Sequence, residues 1–556
     1  IHGGIIMNIE RIQKLLFEFC GVPSISETSG ELAMARVLYD RVSELQYFKD
    51  NPGNMAIDPI NGDRMNRTFF HALMEGGVKS SETVILLSHF DVVDITDYGS
   101  YKDYAFNPPE YTGLLKKDGS ISLSQEARED LDSGDYIFGR GTMDMKFGIA
   151  LDVEIMYQVQ DKLDYFPGNI LLLSVPDEEN NSAGMLAAVE LLAELKKEKG
   201  LEYVCCLVSE PHFPKYPGDD NKYIYTGTIG KLLPVFFCFG KETHAGDPFS
   251  GLNPNMLTGK IIEKLELNPD LSDAVEGFRV PAPVCLKQAD VKAAYSVSTP
   301  AAAYAYFNFM TIVSSPDEIL EKLRYIGEEA FVEVLGNIRN RADRLQALTG
   351  SKPKLPEIKP MVVTFQELYA MSLKARGNEF SEHMSGYMKE LPAGDLRELS
   401  LDVVREVHKF CPYREPMIVL FFAPPYYPHS GLDRQAGKVA AIAAAIMKKA
   451  EAEYGEKMTL EPFFPGLSDM SYLGLPDNIN TGNLKANFPL WGDRYTIPLD
   501  VIAGLSIPFM NIGPLGKDAH KYTERLCVSY SFNKASKLVF EAVLDALDIN
   551  PAAFGL

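Results

Sequence analysis

The stretch Leu171-Leu-Leu-Ser-Val-Pro-Asp-Glu-Glu-Asn180 runs apolar residues directly into three adjacent acids. An apolar run that stops abruptly at charge reads as a buried parallel strand leaving its sheet. The acids then sit at the strand's carboxyl end, where open α/β sheets place their ligands. Taken alone, the triplet also reads as a solvated acidic turn, so other segments decide between the two.

The pattern recurs. Val84-Ile-Leu-Leu-Ser88 leads into His89-Phe90-Asp91, Tyr203-Val-Cys-Cys-Leu-Val-Ser209 leads into Glu210-Pro211, and Ile507-Pro-Phe-Met-Asn-Ile512 leads through a Gly/Pro/Gly loop to His520. Each is a short β-rich run followed, at once or after a loop, by a residue able to bind metal. Gly139-Arg-Gly-Thr-Met-Asp-Met-Lys146 precedes an apolar stretch from Phe147 to Val159 that contains no proline. Its glycines supply a tight turn, and Asp144 falls at the start of a predicted helix, where the dipole favours a carboxylate. An ordinary N-cap explains Asp144 by itself but not the company it keeps.

Collected together, the strand-end residues are His89, Asp144, Glu179, Glu210 and His520, with Glu178 and Asp91 beside them. Imidazole and carboxylate donors without thiolate suit zinc, manganese or cobalt in an open catalytic site, whereas a closed structural zinc usually uses cysteine. Two carboxylates about 4 Å apart repel by about 4 kcal/mol at an effective dielectric near 20. Such crowding calls for metal or for raised pKa values.

Size and composition bound the alternatives. With 556 residues the chain is too long for one ordinary domain, so two domains or a substantial insertion are expected. A formal charge of -22 argues against nucleic acid and anionic membrane as partners, since both need basic surface. No apolar run approaches the length of a membrane span, and Glu10 and Arg11, soon after Met7, leave no signal-peptide core. Seven cysteines without a CxxC pair read as a reduced, cytoplasmic protein, with Cys205 and Cys206 as core residues.

In order along the chain, His-Phe-Asp (89 to 91), Gly-Arg-Gly-Thr-Met-Asp-Met-Lys (139 to 146), Asp-Glu-Glu (177 to 179), Ser-Glu-Pro (209 to 211), Thr-His-Ala-Gly (243 to 246) and His520 with Glu524 resemble the motifs of the ArgE/DapE/aminoacylase/carboxypeptidase-G family of co-catalytic zinc metallopeptidases. Each motif alone is weak, and the ordered set is specific. "SHFDVVDITDYG" (88 to 99), "AFNPPEY" (105 to 111) and "PGLSDMSYLG" (465 to 474) look more like its arginine-utilisation (RocB-like) branch. The resemblance implies a zinc exopeptidase-like α/β fold, with a mixed, mostly parallel sheet, flanking helices and an inserted smaller α+β lid domain. It implies two divalent metal ions per chain, zinc first with cobalt or manganese as alternatives, bridged by Asp144. His89 and Glu210 would complete one position, and Glu179 and His520 the other. Asp91 would fix the His89 ring, and Glu178 would act as general base. His244 resembles the lid histidine that stabilises the oxyanion, often across a dimer. A homodimer through the lid is expected on the same ground. Ser468, Asp469 and Ser471 resemble substrate-pocket residues of the arginine-utilisation branch, and a plain turn explains them as well.

The Pro/Gly/Asp-rich stretch from Glu210 to Tyr223 reads as a loop leading to a domain boundary. Beyond it, a strand over 232–239, a helix over 253–267, a strand over 301–313 and a helix over 316–335 predict the inserted domain at 228–355. The catalytic domain is expected at 7–227 and 356–556, with the apolar run at 416–425 as another of its buried strands. Two features depart from the family. Asn308-Phe-Met310 stands where an Asp-x-Arg element is common, so no arginine is available there for a substrate carboxylate. Roughly 40 residues between Asp94 and Tyr136 read as extra loop at the pocket rim. The expected activity is metal-dependent hydrolysis of an amide bond in an N-acyl amino acid or short peptide. The alternatives are a dipeptidase or carboxypeptidase of the same fold, or a binding homologue without chemistry.

Overall fold

A computed structural model describes residues 7–216, 218–431 and 437–550 of the chain. Two compact units emerge: one takes the chain up to Thr228, Ser430–Leu475 and everything from Asp500 on, and the other takes Ile229–His429 and Pro476–Leu499.

The first unit is built on an eight-stranded mixed sheet. In spatial order its strands are Met55–Pro59, Thr68–Glu75, Pro167–Val175, Val78–His89, Glu202–Val208, Phe509–Asn511, Lys222–Tyr225 and Met458–Glu461. The central strands are parallel and in step: His89 lies opposite Val175, Leu87 opposite Val208, and Val208 opposite Asn511. Their carboxyl ends therefore share one edge. Val84, Leu86, Ile170, Leu172 and Leu207 join a core with residues of the helices Ile9–Cys20, Lys146–Gln160 and Ser536–Ala546. Ile85, Leu87, Leu171 and Leu173 alternate with them, point to the opposite face and are equally buried. Burial on both faces explains why these strands read as unbroken apolar runs.

The segment expected to be rim loop is folded. Helices Pro108–Lys117 and Gln125–Ser133 share a small core of Tyr98, Tyr111, Leu115, Leu131 and Phe138. Tyr136–Phe138 then pairs with Arg525–Cys527, which pairs with Gly516–Lys517. The Asp130 carboxylate accepts from Arg525 Nε (2.7 Å) and Lys517 Nζ (2.9 Å), clamping the hairpin that carries His520 to this insertion.

The second unit holds a five-stranded sheet in the order Val284–Asp290, Ala302–Thr311, Gly230–Phe239, Met417–Tyr427 and Val362–Thr364. Its helices include Pro254–Leu265 and the long Pro316–Thr349, which starts at a Ser315/Glu318 capping box and ends where Gly350 takes φ 76°. The helix runs on past its predicted end at 335, and Ile338, Ala342 and Leu345 continue its apolar stripe at helical spacing.

The second unit also extends past the expected boundary at 355. Met417–Tyr427 pairs antiparallel with Gly230–Phe239, and Val404, Val407 and Phe380 pack with it in one core. Residues 356–429 and 476–499 therefore belong with the inserted unit rather than with the catalytic one. The 416–425 run is a buried strand as expected, but of the other sheet; its sequence identifies a strand without specifying the partner.

Candidate metal centre

Parallel strands that end in step deliver their next residues to one place. His89 closes the Val78–His89 strand, Glu178 and Glu179 follow Val175 by one tight turn, and Glu210 follows Val208. Asp144 comes from the turn before the Lys146–Gln160 helix. That helix is N-capped by Met145 without a side-chain bond, so the Asp144 carboxylate is not engaged as a cap. Gly141 makes the turn possible: its φ is 78°, and a Cβ there would meet Val92 and Lys146 at 3.0 and 3.1 Å. Gly513 does the same for the His520 loop, since a Cβ would lie 2.3 Å from the Glu210 carbonyl oxygen.

The side chains form two groups that share one residue. His89, Asp144 and Glu210 present donor atoms within 4.8 Å of one another, and so do Asp144, Glu179 and His520. Asp144 Oδ1 lies 3.2 Å from His89 Nε2, and Oδ2 lies 3.2 Å from His520 Nε2. Glu210 is 3.3 Å from His89 Nε2, and Glu179 is 3.0 Å from His520 Nε2. His89 is 2% exposed whereas His520 is 50% exposed, so one group is enclosed and the other lies at the surface. His520 itself sits at φ 64°, a strained backbone for a non-glycine residue of the kind that clusters at functional sites.

These residues fit divalent metal. His89 Nδ1 is 3.0 Å from the Asp91 carbonyl oxygen; donating its proton there leaves the Nε2 lone pair facing Asp144 and Glu210. Each group offers one imidazole and two carboxylates, the nitrogen and oxygen set that zinc, manganese and cobalt accept. Electrostatics point the same way. Burial raises the carboxyls of Glu178, Glu179 (to about 7) and Glu210, with neighbouring acids adding to each. Burial alone would lower His89, but Glu210 and Glu178 hold it well above its ordinary range. The Asp144 and Glu179 carboxylates raise His520 to about 10. Cations placed among the carboxylates would relieve this crowding.

The Asp91 carboxylate ties the site together more widely than expected. It accepts from the backbone N–H of Glu178 (3.1 Å) and Glu179 (3.2 Å) and from the Ser26 hydroxyl (2.7 Å), and it lies 3.5 Å from His89 Nδ1. Glu178 stands 4.0 Å from His89 Nε2 and belongs to neither group. Ser468 caps the Met470 N–H and Ser471 reaches the Thr228 hydroxyl at 3.2 Å, so both serines are occupied locally. Asp469 is buried beside them. His244 belongs to the second unit, where it is exposed and its Nδ1 accepts from the Gly246 N–H at 2.9 Å.

Two supporting arginines escape sequence reasoning. Arg67 pairs with Asp177, which takes φ 69°, accepts three backbone N–H groups at its carbonyl and a fourth, from Ala183, at its carboxylate. Asp177 thus shapes the turn that presents Glu178 and Glu179, and nothing in the sequence links it to Arg67. Arg140 binds Glu524 at 2.7 Å with both 1% exposed; its place between two glycines of the 139–146 motif is the one available signal. Arg67→Met is expected to cost about 3–5 kcal/mol, because it strands a buried charge. The urea midpoint reads this, and a loss below about 1 kcal/mol, the scale of a surface pair, would mean that Arg67 does not support the turn.

Comparison with known proteins places this geometry among relatives. Residues 122–486 match the peptidase family M20/M25/M40. The Bacillus subtilis protein YqjN is 39% identical over 527 residues, 94% of this chain and 94% of its own length. The Bacillus subtilis protein RocB is 32% identical over 544 residues, 97% of this chain and 95% of its own length. Among solved structures, a tripeptidase from Staphylococcus aureus superposes with a TM-score of 0.52 at 14% identity, covering 98% of this chain and 100% of its own; that likeness is one of fold.

Proposed function

The chain belongs to peptidase family M20/M25/M40, and from that membership we propose a hydrolase with a dinuclear metal site that cleaves an amide bond in an N-acyl amino acid or short peptide. Metal-dependent hydrolysis of peptide or amide bonds is what the family supports. The observation that carries the finer reading is the division of Asp144: one oxygen faces His89 and the other faces His520.

His89, Glu210 and Asp144 would hold one cation, and Asp144, Glu179 and His520 the other, with zinc first and cobalt or manganese as alternatives. Two divalent ions there supply Lewis acidity toward a carbonyl and acidify water. The remaining work falls to this chain's side chains. Glu178 takes the proton of the attacking water and delivers it to the departing amine nitrogen, a task suited to a carboxyl whose pKa burial has raised. Asp91 holds the backbone of Glu178 and Glu179 while its carbonyl oxygen orients the His89 ring. His244 supplies the oxyanion donor: with Nδ1 accepting from Gly246, the neutral ring carries its proton on Nε2. Within this reading the substrate is a small molecule, the second unit is the lid through which two copies pair, and seven unpaired cysteines among the described residues suit a reducing, cytoplasmic compartment. Among the described residues no helix is long and apolar enough to cross a membrane.

The test is elemental analysis of protein saturated with zinc, cobalt or manganese, followed by assay on acyl-amino acids and dipeptides. About two ions per chain and activity lost to a chelator and restored by metal are expected. No uptake at any metal concentration would overturn the reading in favour of a binding protein.

A further inference from the structure

Residues 24–26 run beside residues 90–92, just past the strand that ends at His89. The Val92 N–H donates to the Ser24 carbonyl oxygen at 3.0 Å, and the Ser26 N–H donates back to the Val92 carbonyl oxygen at 3.0 Å. This backbone pairing fixes where the two serine hydroxyls end. Ser24 Oγ donates to the Phe90 carbonyl oxygen at 2.5 Å, and Ser26 Oγ donates to Asp91 Oδ2 at 2.7 Å. The Ser26 hydroxyl also lies 3.3 Å from the Val92 carbonyl oxygen, but it has one proton, and the nearer, charged acceptor takes it.

The two oxygens of the Asp91 carboxylate do different work. Oδ1 accepts from the Glu178 N–H at 3.1 Å and lies 3.5 Å from His89 Nδ1. Oδ2 accepts from the Glu179 N–H at 3.2 Å and from Ser26. Ser26 is thus the side-chain donor on the oxygen that supports the Glu179 backbone. Other parts of the centre are held by other means: Arg67 pairs with Asp177 at the start of the turn, and the Asp91 carbonyl oxygen faces the His89 ring at 3.0 Å. A carboxylate turns readily about its last torsion. Removing the Ser26 hydroxyl would loosen Oδ2, and with it Glu179, while the His89 ring kept its own anchor.

We infer that Ser26 is a positioning residue for the Asp144–Glu179–His520 metal position, acting through Asp91 on Glu179, and that the His89–Glu210 position does not depend on it. The inference rests on the dinuclear reading proposed above and adds to the centre a segment that lies before the first strand of the sheet.

Zinc affinity, measured by competition with a chromogenic chelator, tests this without any substrate. Ser26→Ala is expected to weaken half of the bound zinc about tenfold, the lower end of what losing a residue that holds a ligand costs. Ser26→Thr keeps the hydroxyl and should stay within about threefold of the unaltered protein, less than one hydrogen bond to a charged group is worth. Added to His520→Ala, in which the His89 position remains, Ser26→Ala should change nothing. Ser24→Ala removes the neighbouring hydroxyl, which bonds the Phe90 carbonyl instead, and should leave all of the zinc as tightly held as before. Unchanged zinc affinity in Ser26→Ala overturns the proposal. So does a loss shared by all of the zinc or present in the His520→Ala background, a Ser26→Thr variant as weak as Ser26→Ala, or an equal loss in Ser24→Ala, each of which would make Ser26 a packing residue. No zinc uptake by the unaltered protein would overturn this proposal and the dinuclear reading together. A selective loss in a protein that cleaves no amide would overturn the hydrolase reading alone.

Discussion

Glu178→Gln is expected to lower kcat by about 10³- to 10⁴-fold while the protein still binds its full complement of metal. The size follows from what a positioned general base contributes, typically 10²- to 10⁴-fold. The retention of metal follows from geometry. Glu178 lies outside both three-residue groups, 4.0 Å from the nearest ring nitrogen, and its backbone N–H, not its side chain, is what Asp91 holds. Glutamine keeps the shape and removes the ability to accept a proton. Paired measurements of turnover and metal content check both halves. Near-normal turnover would remove Glu178 from the reaction, and loss of metal together with turnover would make it a ligand instead.

Asp144→Ala is expected to empty both metal positions at once, weakening each by at least on the order of 100-fold, the upper range for losing even an outer-shell partner. Each group would be left with one imidazole and one carboxylate, since Asp144 supplies an oxygen to each. His89→Ala and His520→Ala are the natural controls, because each ring serves one group. Elemental analysis after dialysis distinguishes the outcomes: stoichiometry falling to near zero in Asp144→Ala and to about one in the histidine variants fits a shared carboxylate. A single ion surviving in Asp144→Ala would show that the two positions are independent.

Much of this centre is legible in the amino-acid order, for a physical reason. Parallel strands buried on both faces appear in sequence as apolar runs, and the first charged residue after each run marks the sheet's carboxyl edge. His89, Glu179 and Glu210 follow that rule closely. Asp144 is ambiguous in sequence, because a carboxylate before a helix is more often a cap; the structure places the cap at Met145 and turns Asp144 toward two histidines. Arg67 and Ser26 are invisible there, since their bonds to Asp177 and Asp91 join distant segments and leave no local pattern. The same holds for the outer boundary of the second unit. A strand's hydrophobicity records that it is buried, and the pairing of Met417–Tyr427 with Gly230–Phe239 is a property of the fold alone. The insertion after Asp94 reads as loop because its helices are short and its core depends on scattered aromatic residues such as Tyr98 and Tyr111.

The unequal enclosure of the two histidines carries a kinetic consequence. An ion beside His89 would sit behind a ring that is almost wholly covered, whereas one beside His520 would border solvent through a half-exposed ring on a hairpin held at its base by Asp130. Residence times in the two positions should then be unequal, with fast exchange at the outer one and slow escape from the inner one. A brief exposure to chelator would leave the chain singly loaded, and refilling from solution would restore activity from the outside in.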